Sequence, residues 1–387
     1  MYTGPKTIND QLVFGYDTGG TRFYPGEPTT NYVTDSSLLE SGWSGSYSLI
    51  DSATKSFQLN VSNFHTDGAG WRSFMWDMRA HTGSAVTISA TIEIPDDSPG
   101  DFAWVMMGQA NSGSGGTTTA TYLGYSSSSE RYQKTTKNTE RITWSGTIGN
   151  TGTANQPNGV IGFTVWYNSG TSGTNSFIKV SNVQIEKISH ATAFVNGSRS
   201  NTTSLIDLKR TVNINVNNMS FDSNSQPTFD GTDDILNTGL FSGRNPSTDV
   251  FTIEAIVKSD TTSGNHMWVD ATGNGTNQRL YCAHASTGTN TPLGIQNSGW
   301  SHSTPQDTNY HHYVITMNGS TAQLYNNSVA HSNKSYTSYT LSGQINVGGR
   351  SGYRWLGEIP VFKIYDKVLS TEEISKNYNA YKNRFNI

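Results

Sequence analysis

Aromatic side chains beside arginine, histidine and asparagine are the groups in this chain best suited to chemistry, and that chemistry is sugar binding. A pyranose presents an apolar C–H face that stacks on Trp or Tyr, while Arg, Asn and Asp hold its hydroxyls. Three stretches combine these residue types: Trp71, Arg72, Trp76 and Arg79; Trp300-Ser301-His302; and Arg350-Ser351-Gly352-Tyr353-Arg354-Trp355. The second and third read as loops, and loops on a rigid scaffold are where binding residues collect. The glycan-binding candidates are therefore Trp71, Arg72, Trp300, His302, Arg350, Tyr353 and Trp355. The alternative for any one tryptophan is a place in a core or an interface. Alternation along the strands assigns Trp76, Trp104 and Trp166 to that role.

The other reactive residue types point to little chemistry. Asp230, Asp233 and Asp234 offer hard oxygen ligands that would suit calcium. The alternative is that Asp-Gly-Thr-Asp simply makes a tight turn. Asp96, Asp97 and Asp101 sit beside Pro95 and Pro99 and read as a solvated loop. A retaining glycosidase needs two carboxylates about 5 Å apart. Glu254, in Thr252-Ile253-Glu254-Ala255-Ile256, lacks partners at the right alternation and reads as a surface or rim residue. None of the nine histidines falls into His-x-Glu-x-x-His spacing. His311-His312 opens a strand, so its rings point to opposite faces, one packed and one wet. No Gly-x-Ser-x-Gly elbow precedes a helix. Cys282, the single cysteine, lies in an apolar run and reads as a buried small hydrophobe.

These residues must be positioned by β structure. The 387 residues carry only 14% charged side chains, with Gly, Ser, Thr and Asn in their place. The 15 Phe, 9 Trp and 19 Tyr supply too much apolar surface for a solvated chain. The combination fits many short strands joined by turns. A net charge of −4 argues against nucleic-acid binding, and no apolar run is long enough for membrane insertion. The N-terminus lacks the basic and apolar regions of a signal peptide.

Residues 86–94 alternate apolar and polar without a slip, which predicts a strand with one buried and one wet face. Residues 160–167 are apolar on both faces and suit a central strand. Residues 177–186 form another, with a phase break at Ser181-Asn182 that a bulge would repair. Residues 111–116 and 126–129 read as polar loops. Residues 251–257 make a strong strand. Residues 313–317 and 321–325 flank Asn318-Gly319, a hairpin signal. Residues 345–347 and 359–365 add two strands. The one helix is the last element: Ser370-Thr371-Glu372-Glu373 is a capping box, Ile374, Tyr378 and Tyr381 share a face, and Lys382 and Arg384 suit the C-terminal end.

The C-terminal half resembles the concanavalin A-like, laminin-G-type domains of phage virion proteins. The resemblance rests on Phe229-Asp230-Gly231-Thr232-Asp233-Asp234, Phe251-Thr252-Ile253-Glu254-Ala255 and His311-His312-Tyr313-Val314-Ile315-Thr316. It continues through Ile345-Asn346-Val347-Gly348-Gly349, Gly357-Glu358-Ile359 and Leu369-Ser370-Thr371-Glu372-Glu373-Ile374. Leu12-Val13-Phe14-Gly15-Tyr16-Asp17 looks like the first strand of the same domain. The resemblance therefore implies a split domain: residues 1–30 hold an N-terminal arm and first strand, and residues 201–387 hold the remainder. Residues 31–200 are then an insertion similar to carbohydrate-binding-module jelly rolls. That likeness is carried by Val180-Ser181-Asn182-Val183-Gln184-Ile185-Glu186-Lys187 and Ala191-Thr192-Ala193-Phe194-Val195, where the family often has Pro at the place of Ala193. Glucanases sharing the concanavalin A-like fold carry Glu-x-Asp-x-x-Glu on their active strand, and no such triplet occurs here.

The expectation is an all-β chain of two β-sandwich domains with one short C-terminal helix. The resemblance implies a non-enzymatic protein on the virion surface: a tail fibre, head fibre or capsid decoration. Its expected partners are other virion proteins and a host cell-surface glycan, without a committed metal or cofactor beyond the calcium candidates. Analogy with fibres and knobs implies a homo-oligomer, with a trimer as the common form. The alternatives are a purely structural decoration protein, and a soluble lectin or glycan-processing enzyme.

Overall fold

The computed structural model describes residues 6–33, 38–40, 48–51, 53–60, 69–93, 103–112, 120–123, 131–134, 139–149, 157–168, 177–239, 248–264, 266–273, 279–284, 293–295, 298–300, 307–336 and 341–387. The chain is all-β apart from a 3-10 turn at Arg79–His81 and the helix Thr371–Phe385. It divides into two compact units, one formed by Met1–Glu27 with Ser200–Ile387 and the other by Pro28–Arg199.

The discontinuous unit is a sandwich of an eight-stranded and a six-stranded sheet. Its eight-stranded sheet is centred on Val250–Ser259, which pairs with Tyr310–Asn318 on one side and Leu356–Tyr365 on the other. The N-terminal strand Leu12–Asp17 pairs antiparallel with Leu356–Tyr365. Strand alternation sets the layers. Phe251, Ile253, Ala255 and Val257 face inward with Tyr313, Ile315, Phe362 and Ile364. They pack on Trp268, Val269, Leu280, Cys282, Ile345 and Val347 of a six-stranded sheet. Cys282 is buried in this core and forms no disulfide.

The other face of the eight-stranded sheet is covered by the C-terminal helix. Leu12, Val314, Tyr365, Leu369 and Ile374 form one apolar cluster there, and Ile256, Val361, Tyr381 and Phe385 another. Both halves of the capping box are present: Ser370 Oγ accepts from Glu373 N–H and the Glu373 carboxylate accepts from Ser370 N–H. The helix ends at Asn386 in the left-handed conformation, with Lys382 and Arg384 exposed in its last turn. Tyr310–Asn318 and Thr321–Asn326 form the hairpin signalled by Asn318-Gly319, with Gly319 at φ +92°. The Asn318 side chain accepts from the N–H groups of Ser320 and Thr321.

The continuous unit is a second sandwich. Trp76, Met107 and Ile161 from one sheet meet Val86, Ile88, Ala90, Ile92, Val180, Val183 and Ile185 from the other. The strand Pro157–Asn168 is central, between Ala69–Asp77 and Ala103–Ser112. The register of Phe177–Glu186 shifts between Ser181 and Gln184, with Asn182 at φ +52°, so a bulge restores the alternation. The strand Ala85–Glu93 departs from the expected one wet face, since Thr87 and Ser89 are fully buried. Thr87 Oγ1 donates to Ile188 O (2.9 Å), and Ser89 Oγ accepts from Arg141 (2.6 Å), so neighbouring polar groups cover the second face. Buried Asn31 donates to Val183 O and Val195 O and accepts from Val33 and Ile185 N–H. Among the described residues no helix is long and apolar enough to cross a membrane.

Candidate functional site

The strand His266–Gly273 of the six-stranded sheet carries one acidic residue in an otherwise apolar centre. Trp268, Val269 and Ala271 belong to the core, whereas Asp270 lies on the opposite face. Direct cross-strand partners share a face. Asp270 is paired with Asn346 on one side and Tyr281 on the other, and Asn346 is paired with exposed Asn237. Beyond Tyr281 the row continues through Gly294 and Gly299, which add no side chain. The result is a polar row across the outer face of the sheet.

A short hairpin delivers an arginine to this row. Gly349–Arg350 pairs with Tyr353–Arg354. Gly348 and Gly349 have φ of +91° and +80°, which favours glycine. A Cβ on Gly349 would lie 2.3 Å from Tyr353 O and 2.6 Å from Met267 O, so only glycine lets the hairpin approach the sheet. Gly348 N–H donates to Trp268 O (3.0 Å), and His266 Nδ1 lies 2.6 Å from Arg354 O. Arg350 is thereby held with its guanidinium 4.3 Å from the Tyr353 ring centroid and its Nε 3.7 Å from Asp270 Oδ1. Asp270 is buried, and the Arg350 side chain is 29% exposed. The arrangement offers a carboxylate, a guanidinium, an amide and two tyrosines, the groups that hold sugar hydroxyls and stack on sugar rings.

Of the residues singled out from sequence, the structure brings Arg350 and Tyr353 together. Trp355 is a correction: it is 1% exposed and lies in the core between the sheets. The hairpin folds back and binds Trp355 N–H to Gly348 O, turning the indole inward. Trp300 ends the strand Ser298–Trp300 rather than occupying a loop, and is paired in register with Leu293. Trp71 and Arg72 lie in the strand Ala69–Asp77, paired with Trp166 and Val165. Trp76 is buried in the second core, as its alternation required. Trp104 and Trp166 pair with each other in adjacent strands. Asn111 and Ser112 end a strand rather than open a loop. His302, Asp96, Asp97, Asp101, residues 113–116 and residues 126–129 lie outside the described residues. Sequence reasoning missed Asp270, Asn346 and Tyr281. A single carboxylate inside an apolar strand was the available signal for Asp270.

Glu254 is a second correction. It is fully buried, because the C-terminal helix covers the sheet face that reads as a surface. Its Oε1 lies 2.7 Å from His312 Nε2, and its Oε2 accepts from Tyr365 OH (2.7 Å) and Asn377 Nδ2 (2.9 Å). Burial pushes its carboxyl upward. The His312 hydrogen bond, the charges of Lys363 and His312 and the Tyr365 hydroxyl outweigh that and hold it down at about 2. His311 and His312 do face opposite sides, but neither is wet, at 8% and 0% exposure. His311 lies against Tyr313 on the core side and His312 under the helix beside Tyr378.

Asp230, Asp233 and Asp234 each offer an oxygen, all within 4.8 Å of one another. The local turn accounts for two of them. Asp234 accepts from the N–H groups of Ser220 and Asp230, and Asp230 accepts from Thr232 N–H. Burial raises the Asp234 carboxyl to about 6.

Residues 230–375 match the family model described as the concanavalin A-like lectin/glucanases superfamily. Comparison with curated proteins finds no match. Among solved structures, domain 4 of AbnA, a GH43 extracellular arabinanase from Geobacillus stearothermophilus in complex with arabinotriose, aligns with a TM-score of 0.35 at 10% identity, over 46% of this chain and 93% of that one. The Trypanosoma rangeli sialidase in complex with the inhibitor DANA aligns with a TM-score of 0.33 at 16% identity, over 45% of this chain and 30% of that one. The botulinum neurotoxin serotype D binding domain aligns with a TM-score of 0.32 at 16% identity, over 46% of this chain and 49% of that one. The aligned part thus spans less than half of the sialidase and neurotoxin chains. At these TM-scores none of the likenesses bears on what this chain binds.

Proposed function

We propose that the chain is a non-catalytic glycan-binding protein whose sugar platform is the outer face of the six-stranded sheet. One observation carries this reading: Arg350 stands over the Tyr353 ring beside buried Asp270, in a row with Asn346 and Tyr281. A stacked guanidinium is already ordered before a ligand arrives, which lowers the entropic cost of binding. The sealed surroundings of Glu254 support binding over hydrolysis, since no substrate reaches that carboxylate without moving the helix. Trp71, Arg72, Trp300 and His302 stand as further proposed sugar contacts.

The motif resemblance supports placing the protein on a phage particle, as a tail fibre, head fibre or capsid decoration, among other virion proteins and as a homo-oligomer. Weak single sites repeated on a particle gain through avidity. The binding proposal is tested on a glycan array with the full chain and with Arg350→Ala and Tyr353→Ala. The expected result is binding to a defined glycan that either variant weakens about tenfold or more without lowering thermal stability. Blank arrays would overturn it in favour of a decoration protein that contacts only other virion proteins. Immunogold labelling of source particles tests the placement: label at a fibre tip supports host recognition, label over the head supports decoration, and unlabelled particles would remove the virion reading.

A further inference from the structure

A recess lies on the helix-covered side of the eight-stranded sheet, where the 6–9 segment, the 17–23 turn and the end of the C-terminal helix meet. It has a volume of about 520 Å³, within the range of small-molecule sites. Four cations line it, Lys6, Lys209, Lys363 and Arg384, on a chain whose net charge is −4. The acidic residue in the lining, Asp17, already pairs with Arg384 and accepts from Gly19 N–H.

Lys363 is the unusual member. It is 1% exposed, and among the described residues its Nζ has no hydrogen-bond partner. Buried ammonium groups are ordinarily paired, because desolvation is costly. Three groups face it. Glu254, its cross-strand neighbour, has its oxygens engaged by His312, Tyr365 and Asn377. Asp17 is turned to Arg384, and Tyr381 offers only its ring, 5.3 Å from Nζ. Room for the cations is built into the backbone. A Cβ on Gly15 would lie 2.9 Å from Lys363 Cγ, and one on Gly19 would overlap the Arg384 guanidinium.

We propose that this recess binds a small ligand bearing a carboxylate or phosphate group, with Lys363 Nζ as its innermost contact. The anion supplies the acceptor that the buried ammonium lacks, and Arg384, Lys6 and Lys209 surround its outer oxygens. The site shares no residue with the sheet-face platform, so either reading can fail without the other.

Calorimetric titration of the full chain with sodium glucuronate and, separately, inorganic phosphate tests it. The expected result is one-to-one binding of at least one anion with Kd below about 1 mM, weakening as salt rises. Glucuronate alone assigns an acidic sugar, phosphate alone a phosphorylated ligand, and both a general oxyanion site. Lys363→Met is expected to cost about tenfold or more in affinity, as loss of a charge-assisted bond does. Arg350→Ala is expected to leave this binding intact. Absence of binding to both anions at about 10 mM, or wild-type affinity in Lys363→Met, would overturn the proposal. Should Lys363→Met not fold, the exposed pair Lys6→Gln and Lys209→Gln decides. Weaker binding with a flatter salt dependence supports the site, and unchanged affinity overturns it.

Discussion

Glu254 and Asp270 occupy matching positions in the two sheets of one sandwich. Each is a lone carboxylate in an apolar strand, each is fully buried, and each points away from the shared core. Their surroundings differ. Glu254 lies under a helix, with histidine, tyrosine and asparagine on its oxygens. Asp270 lies under a hairpin that leaves an arginine partly in solvent. Burial alone therefore does not separate a structural carboxylate from the proposed binding one. What separates them is whether the covering element seals the charge or presents a second polar group outward.

The largest effect that tests this contrast is expected from Glu254→Ala. Removing the central acceptor leaves Tyr365 OH and Asn377 Nδ2 without it and strips Lys363 of its nearest compensating charge. Breaking a buried charged network in this way costs about 3–5 kcal/mol. Denaturant unfolding is expected to show that loss, while glycan binding below the unfolding transition persists. Acid titration gives the same answer in the parent protein. The Glu254 carboxyl is held below its ordinary value of 4.5, so its contribution is fully present above that pH. It is lost as pH falls from 4.5 towards about 2. Glu254→Gln is expected to flatten this part of the stability profile. Loss of glycan binding in a still-folded Glu254→Ala would break the division between the two carboxylates.

Gly349→Ala acts on the other member. A side chain at φ +80°, with its Cβ 2.3 Å from Tyr353 O, forces the hairpin off the sheet. Such strain costs about 1–3 kcal/mol. Arg350 then leaves Asp270, so glycan binding is expected to disappear while the Glu254 side of the sheet keeps its acid profile. Retained binding would show that the hairpin does not position the site.

Strand content was legible because alternation and turn chemistry are local. The bulge at Asn182, the hairpin at Gly319 and the capping box at Ser370 each rest on neighbouring residues alone. The covering of faces was not. Thr252, Glu254 and Ile256 form one face of a strand, and the strand itself does not say whether water or a helix lies above it. The apolar stripe of the C-terminal helix, with Asn377 inside it, was the clue, since that stripe needs a sheet to cover. Trp355 follows the same rule. The stretch from Arg350 to Trp355 reads as an exposed loop, and only contact with the strand His266–Gly273 turns the hairpin inward. The proposed binding platform joins Asp270 to Asn346, cross-strand neighbours far apart in sequence, a relation that register creates and spacing does not show.

Ser370→Ala is the smallest and most selective test. Its hydroxyl accepts from Glu373 N–H at 3.3 Å, and Glu373 in turn holds the Ser370 N–H at 3.0 Å and Lys367 Nζ at 2.7 Å. The substitution removes one acceptor at the helix start and leaves every residue around Glu254 in place. A lost N-cap costs about 1 kcal/mol. That loss falls on the element covering Glu254 and on nothing that covers Asp270. Hydrogen exchange is therefore expected to quicken along the first helical turn, while the amides of the strand His266–Gly273 keep their protection. Equal quickening in both places would mean that the two sheets open as one cooperative body, and the two carboxylates would then differ in their partners but not in the stability that guards them.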